Sequence, residues 1–277
     1  MDTEEVFTSI RKDIAEGRTG DVGPKVMGIA EETDDSFTLI KCMSLLKVVE
    51  DHETMSELVK KVVSTVGDDV ERKIEVAGAL RGLDYPKEAL DILGTLETND
   101  STRRMSALCL MDMDEYESAL ETVLGIAAPV ARDRIMLTEV QSALGEHSAA
   151  VETASTLLAE LPGEYEVMRC YVSALILGGR DKEAVKYVRS CLKSKDANSN
   201  AVAGYVMRVT GNIKAAAGYA TRAIQIDNHH IGAMETLGIC LAEKGEYDKA
   251  RIIAGAINET SPGNRAALNV LSYCDRS

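Results

Sequence analysis

Apolar residues recur along this chain at helical spacing, and they come in pairs of runs. Met234, Leu237 and Leu241 fall on one helical face. Gly245 breaks that pattern where a helix would end. Ala250, Ala254 and Ile257 then mark the face of a second helix, and Pro262 stops it and starts the next unit. Gly238 and Ala250 are small enough to let two antiparallel helices approach closely, so the spacing predicts that they lie face to face.

The same phase recurs upstream. A turn residue, a two-residue step and a small residue three further on give Gly245/Tyr247/Ala250, Gly211/Ile213/Ala216, Gly179/Asp181/Ala184 and Gly145/His147/Ala150. The period is 34 residues from 145 to 179 and again from 211 to 245, with one step of 32 between them. Asp114/Tyr116/Ala119 and Asp84/Pro86/Ala89 continue the series at steps of 31 and 30, with Asp in place of Gly. An Asp there is expected to cap the helix that follows. Six copies at nearly constant phase make antiparallel helix pairs the expected architecture, with no strand of four or more residues.

This pattern resembles the tetratricopeptide repeat, in spacing more than in identity: Met234, Leu241 and Ala254 stand where the family places aromatics. The resemblance implies an all-α, right-handed superhelical solenoid of about eight hairpins closed by a C-terminal capping helix. It divides the chain into degenerate hairpins at 1–69, repeats at 70–262 and a cap at 263–277, in one continuous array. Val6, Ile10 and Ile14 stripe the first helix, and a pair over 2–16 and 21–31 turns around 17–20. Asp35–Ser36 begins a third helix running to about Val49, and its turn is expected at Asp51-His52-Glu53. In the cap, Leu268 and Leu271 are expected to face the last repeat, with Asn264, Arg265 and Asn269 in water.

Composition agrees with stacked helices. Hydrophobic residues make up 45% of the 277, but aromatics only 4%, with no Trp, so Ala, Leu, Val and Met must fill the interior. Of the five prolines, Pro24, Pro86, Pro129 and Pro162 sit at predicted helix starts or in turns. Net charge is −14, which makes nucleic acid and anionic membrane poor partners. Residues 1–70 carry 16 acids against 8 bases, more than half of that excess.

Six cysteines lack C-x-x-C spacing and read as free buried thiols. No metal site and no cofactor is expected. His229-His230, in the loop before the last repeat, reads as a solvated pair, and His52 and His147 as solvent-facing or capping residues of inter-helix turns. The opening Met1–Val6 has no basic and apolar leader, and no stretch approaches 18 apolar residues, so a cytoplasmic protein is expected. Asn258-Glu-Thr260 is then a chance glycosylation match.

No zinc-protease, nucleophile-elbow, phosphate-loop or dinucleotide motif occurs. The resemblance points instead to the groove lined by the first helix of each pair. Repeat phase places Arg81, Arg104, Arg132, Arg169, Tyr205 and Arg208 there, with Glu139 and Glu235. The Lys–Asn clamp by which one subtype of the family holds chaperone tails is missing. The expected role is a non-catalytic scaffold that binds another protein or peptide, with Arg104, Arg132, Arg169 and Arg208 suited to an acidic or carboxylate-ended segment. A dispersed enzyme site or a purely structural, self-assembling role are the alternatives, and a homo-oligomer is a possible assembly.

Overall fold

A computed structural model describes residues 3–261 and 263–275. Among them are seventeen α-helices and no strand. Pro262, expected to end a helix, lies outside the described residues. The helices form two compact units, Met1–Pro129 and Val130–Ser277. The first holds α1 (Thr3–Ala15), α2 (Val22–Glu31), α3 (Ser36–Val48), α4 (His52–Thr65), α5 (Val70–Gly82), α6 (Pro86–Leu93), α7 (Asp100–Asp112) and α8 (Tyr116–Leu124). The second holds α9 (Ala131–Ala143), α10 (His147–Glu160), α11 (Tyr165–Leu177), α12 (Asp181–Cys191), α13 (Ala197–Val209), α14 (Ile213–Ile226), α15 (Ile231–Ala242), α16 (Tyr247–Thr260) and α17 (Arg265–Asp275).

One backbone device makes every hairpin. The turn from first to second helix carries a residue at positive φ, between 59° and 86°: Gly17, Glu50, Asp84, Asp114, Gly145, Gly179, Gly211 and Gly245. The next residue's N–H then donates to a carbonyl five residues back, as from Glu146 to Gln141 (2.8 Å), Asn212 to Met207 (2.7 Å) and Glu246 to Leu241 (2.9 Å). This left-handed termination satisfies carbonyls that the helix end leaves free. Asp84 and Asp114 therefore hold the glycine position itself and do not cap the following helix. The capping positions are Tyr85 and Glu115, and neither makes a side-chain cap bond. The second hairpin turns on Glu50, with Asp51 capping α4 through Thr54 N–H, which moves the expected turn back to 49–51.

Large aliphatics and one aromatic fill the first unit, with Phe7, Ile10, Leu39, Met43, Leu46 and Leu80 shielded from water. The second unit is packed with smaller groups, among them Ala154, Ala203, Ala216, Ala220 and Ala250. Small residues bring backbones together at α13 and α14. A Cβ on Gly204 would stand 3.2 Å from Ala220 N and 3.3 Å from Ala216 O. The atoms that crowd Gly238 most closely are not those of Ala250. A Cβ there would meet the two methyls of Val270 at 2.8 Å and Ile253 Cγ2 at 3.2 Å, so the space is taken by α17 and by a neighbouring position on α16. The closing helix is also rotated from its expected phase. Ala266, Ala267, Val270 and Cys274 face inward, Leu271 is half-buried, and Leu268 is 58% exposed. Spacing of Leu268 and Leu271 alone could not distinguish this, because Ala and Cys suffice where two helices run close.

Cys42, Cys109, Cys170, Cys240 and Cys274 are buried free thiols, and Cys191 is half-buried. Among the described residues no helix is long and apolar enough to cross a membrane.

Candidate interaction face

In the second unit each first helix packs on the next: α9 on α11, α11 on α13, α13 on α15 and α15 on α17. Among the described residues, α10, α12, α14 and α16 pack mainly on their own partners and on the following first helix. Helices that touch successively along one side and fan apart on the other bend the stack. The first helices therefore line its concave side.

Tyr165 opens α11. Its ring meets His230 edge-on, with centroids 4.6 Å apart at 85°. His230 is buried and is the N-cap of α15, its Nδ1 accepting from Ala233 N–H at 3.2 Å. With Nδ1 accepting, Nε2 carries the proton and donates to Asn198 Oδ1 at 3.1 Å. Asn198 Nδ2 donates in turn to Gly163 O at 2.8 Å. Three successive repeats are thereby tied through one side-chain chain. Gly232 is needed for it, since a Cβ would fall 2.3 Å from the Tyr165 ring. Desolvation raises the Tyr165 pKa above its ordinary value, keeping the hydroxyl protonated, and lowers that of His230, keeping the ring neutral. The expectation of a solvated histidine pair holds for His229 only, which is exposed. Sequence reading missed Tyr165 and His230, because the residue that caps α15 is a histidine, which is not among the usual N-cap types.

Charges surround the ring. Arg169 Nε and Nη2 both reach Glu166 Oε2, each at 3.0 Å, on the same helix. Glu139 on α9 feels Arg169 and Arg265 as attraction and Glu166 as repulsion. Its side chain is exposed, and desolvation by the surrounding protein raises its pKa. It makes no ion pair or hydrogen bond among the described residues. Glu235 on α15 accepts from Asn269 Nδ2 of α17 at 2.7 Å. Tyr205 on α13 shares a hydrogen bond with Ser173 of α11, 2.9 Å between hydroxyls.

The remaining sequence candidates are engaged elsewhere. Arg208 sits 3.8 Å from Glu243 and over the Tyr205 ring, 5.9 Å from its centroid. Arg132 is exposed at the start of α9. In the first unit Arg81 holds Asp112 with Nε 2.6 Å from Oδ2, joining α5 to α7. Arg104 donates to Ala128 O at 3.1 Å, beside the 127–128 turn whose amides Asp100 receives. Among the described residues no group of three or more His, Cys, Asp or Glu side chains is placed to hold a metal ion.

Paired helices repeated at one turn geometry, with first helices on the inner side, define a helical-repeat solenoid, a class that presents extended protein-binding surfaces. The family model of the tetratricopeptide repeat matches residues 210–272, and that part of the chain carries tetratricopeptide repeat sequence. Similar solved structures include a tetratricopeptide repeat protein from Parabacteroides merdae, at 12% identity over 86% of this chain and 98% of that one, with a TM-score of 0.49. YrrB, described as a tetratricopeptide repeat protein with an unusual peptide-binding site, is 16% identical over 77% and 97%, with a TM-score of 0.36. TTC0263 from Thermus thermophilus is 16% identical over 73% and 97%, with a TM-score of 0.41. A comparison with curated proteins finds no match.

Proposed function

We propose that the chain is a non-catalytic scaffold and that the concave face of its second unit binds a segment of another protein. The observation that carries this reading is Glu139 beside Arg169. Glu139 is an exposed acceptor with no hydrogen bond or ion pair among the described residues, and Arg169 is the foremost charge acting on it. Arg169 spends Nε and Nη2 on a single oxygen of Glu166, and Nη1 is left to donate. Both side chains stand on packed helices, so little order must be gained when a ligand arrives. A carboxylate of the bound segment fits Arg169, and an N–H of the same segment fits Glu139. Tyr165 adds an aromatic wall.

The acidic or carboxylate-ended partner thus rests on Arg169, with exposed Arg132 nearby in sequence to Glu139, rather than on four arginines. Arg208 and Arg81 already face carboxylates, and Arg104 braces a turn. The test is selection of displayed random peptides on the immobilised chain, followed by anisotropy titration of the selected peptides with free-acid and amidated C-termini. Arg169→Glu is expected to weaken free-acid peptides at least about ten-fold, the scale of one charge-assisted hydrogen bond. Peptides that bind Arg169→Glu and Glu139→Lys as tightly as the unaltered chain would place the binding surface elsewhere.

A further inference from the structure

The net charge of −14 is not shared between the two units. Residues 1–129 hold 28 Asp and Glu against 14 Lys and Arg, whereas residues 130–277 hold 17 of each. Inside the neutral unit one segment is basic. Lys182, Lys186 and Arg189 lie at i, i+4 and i+7 on α12, which places them on one face, and Lys193 and Lys195 follow in the next turn. All five are exposed, and none makes an ion pair among the described residues. Three carboxylates accompany them: Glu183 is held by Arg180 at 2.7 Å, Asp196 caps α13, and Asp181 opens α12 beside Lys182. Beside the stripe lies a depression of about 440 Å³ between Leu192, Lys195, Tyr219, Arg222 and Ile226, and Ile226 is 56% exposed. Lys195 and Arg222 border this hollow, and the row of cations on α12 leads up to it, which together make a surface for an acidic, amphipathic element.

The acidic unit of the same chain carries such an element. On α8, Glu117, Glu121 and Leu124 lie at i, i+4 and i+7, preceded by Asp114 and Glu115. Leu124 is 64% exposed, and these four carboxylates make no ion pair among the described residues. We infer that the chain self-associates head to tail, the α8 face of one copy docking on the α12 stripe of a second copy with Leu124 at the apolar hollow. Two different surfaces meet in such a contact, so it extends into chains of copies unless the rotation closes a ring. Whole-molecule repulsion between acidic copies does not prevent it. At 0.15 M salt the Debye length is about 8 Å, so distant like charges are screened while touching opposite charges are not.

Sedimentation velocity of the full chain tests this across a concentration series at about 0.15 M and about 1 M salt, where the Debye length falls to about 3 Å. The unaltered chain is expected to gain mass with concentration at the lower salt and to return to monomer at the higher. One variant reverses the stripe (Lys182→Glu, Lys186→Glu, Arg189→Glu) and another reverses α8 (Glu117→Lys, Glu121→Lys). Every substituted residue is exposed, and circular dichroism of each variant checks that it is folded. Each alone is expected to be monomeric, because one pairs acid with acid and the other base with base. An equimolar mixture restores opposite charges across the contact and is expected to associate. An unaltered chain that stays monomeric at 0.15 M salt, a stripe variant that still associates, or a mixture that does not associate would each overturn the inference.

Discussion

Gly238 in α15 is where packing and local propensity make opposite predictions. A methyl added there would lie 2.8 Å from both Val270 methyls and 3.2 Å from Ile253 Cγ2. Carbon atoms rest at about 3.5–4.0 Å, so the overlap with Val270 is about 0.7–1.2 Å. Val270 is fully buried and β-branched, and both of its methyls are too close, so no side-chain rotation clears the space. The closing helix α17 must move. Overpacking of this kind costs about 1–3 kcal/mol. Against it, Ala in place of Gly within a helix gains about 0.5–1 kcal/mol. The packing loss wins, and Gly238→Ala is expected to destabilise by about 1–2 kcal/mol. Val270→Ala alone loses two buried methyls, about 2 kcal/mol with its cavity. Combined, the new methyl occupies part of that cavity, so the double variant is expected to fall short of the sum of the singles by about 1–2 kcal/mol. Repeat arrays do not unfold in one step, so urea midpoints should be read together with hydrogen exchange of the α17 amides. A Gly238→Ala chain with a raised midpoint and unchanged α17 protection would refute the reasoning, because helix propensity alone would then govern the site.

Other outcomes follow from the same structure. Asp114→Gly relieves a left-handed backbone at φ 59° and should raise stability by about 1 kcal/mol in urea denaturation, despite the loss of the exposed Tyr116 hydroxyl bond; a lower midpoint would mean that this bond outweighs the strain. Desolvation depresses the His230 pKa, so its contribution is complete above the unfolded value of about 6.5 and is lost as pH falls below it; the stability gap to His230→Asn, which can still cap α15, should narrow between about pH 7 and pH 5. Burial pushes the thiols of Cys42, Cys109, Cys170 and Cys240 up to about 11, so a thiol reagent at neutral pH should label half-buried Cys191 well before these four, and all six only after unfolding. Removal of residues from 263 onward should expose Gly238, Ile253 and their neighbours and lead to self-association that salt does not reverse; a monomeric and equally stable truncated chain would refute the role of α17 as a cap.

Helix pairs, their number and most of their turns were legible from residue spacing, because a period near 34 with a turn residue at constant phase reflects purely local physics. The αL termination needs one residue that tolerates positive φ, and eight positions satisfy it, six of them with Gly or Asp visible in register and Gly17 and Glu50 outside it. Which residues meet across helices was not local. Gly238 and Ala250 share a hairpin, yet the space at Gly238 belongs to Val270, fixed by where α17 docks. Leu268 reads as core by hydrophobicity and lies in water, because Ala266, Ala267, Val270 and Cys274 fit a close approach that Leu268 does not. The interaction face divided in the same way. Repeat phase could place Glu139, Arg169, Tyr205 and Glu235 on first helices, since phase depends on position within a repeat. Only tertiary structure decided which charges were already spent, because Arg81–Asp112 and Arg208–Glu243 join helices about 31 and 35 residues apart in the chain, a separation set by stacking rather than by any local rule. Tyr165 and His230 met for the same reason: stacking brings the start of α11 and the start of α15 together where Gly232 leaves room for a ring.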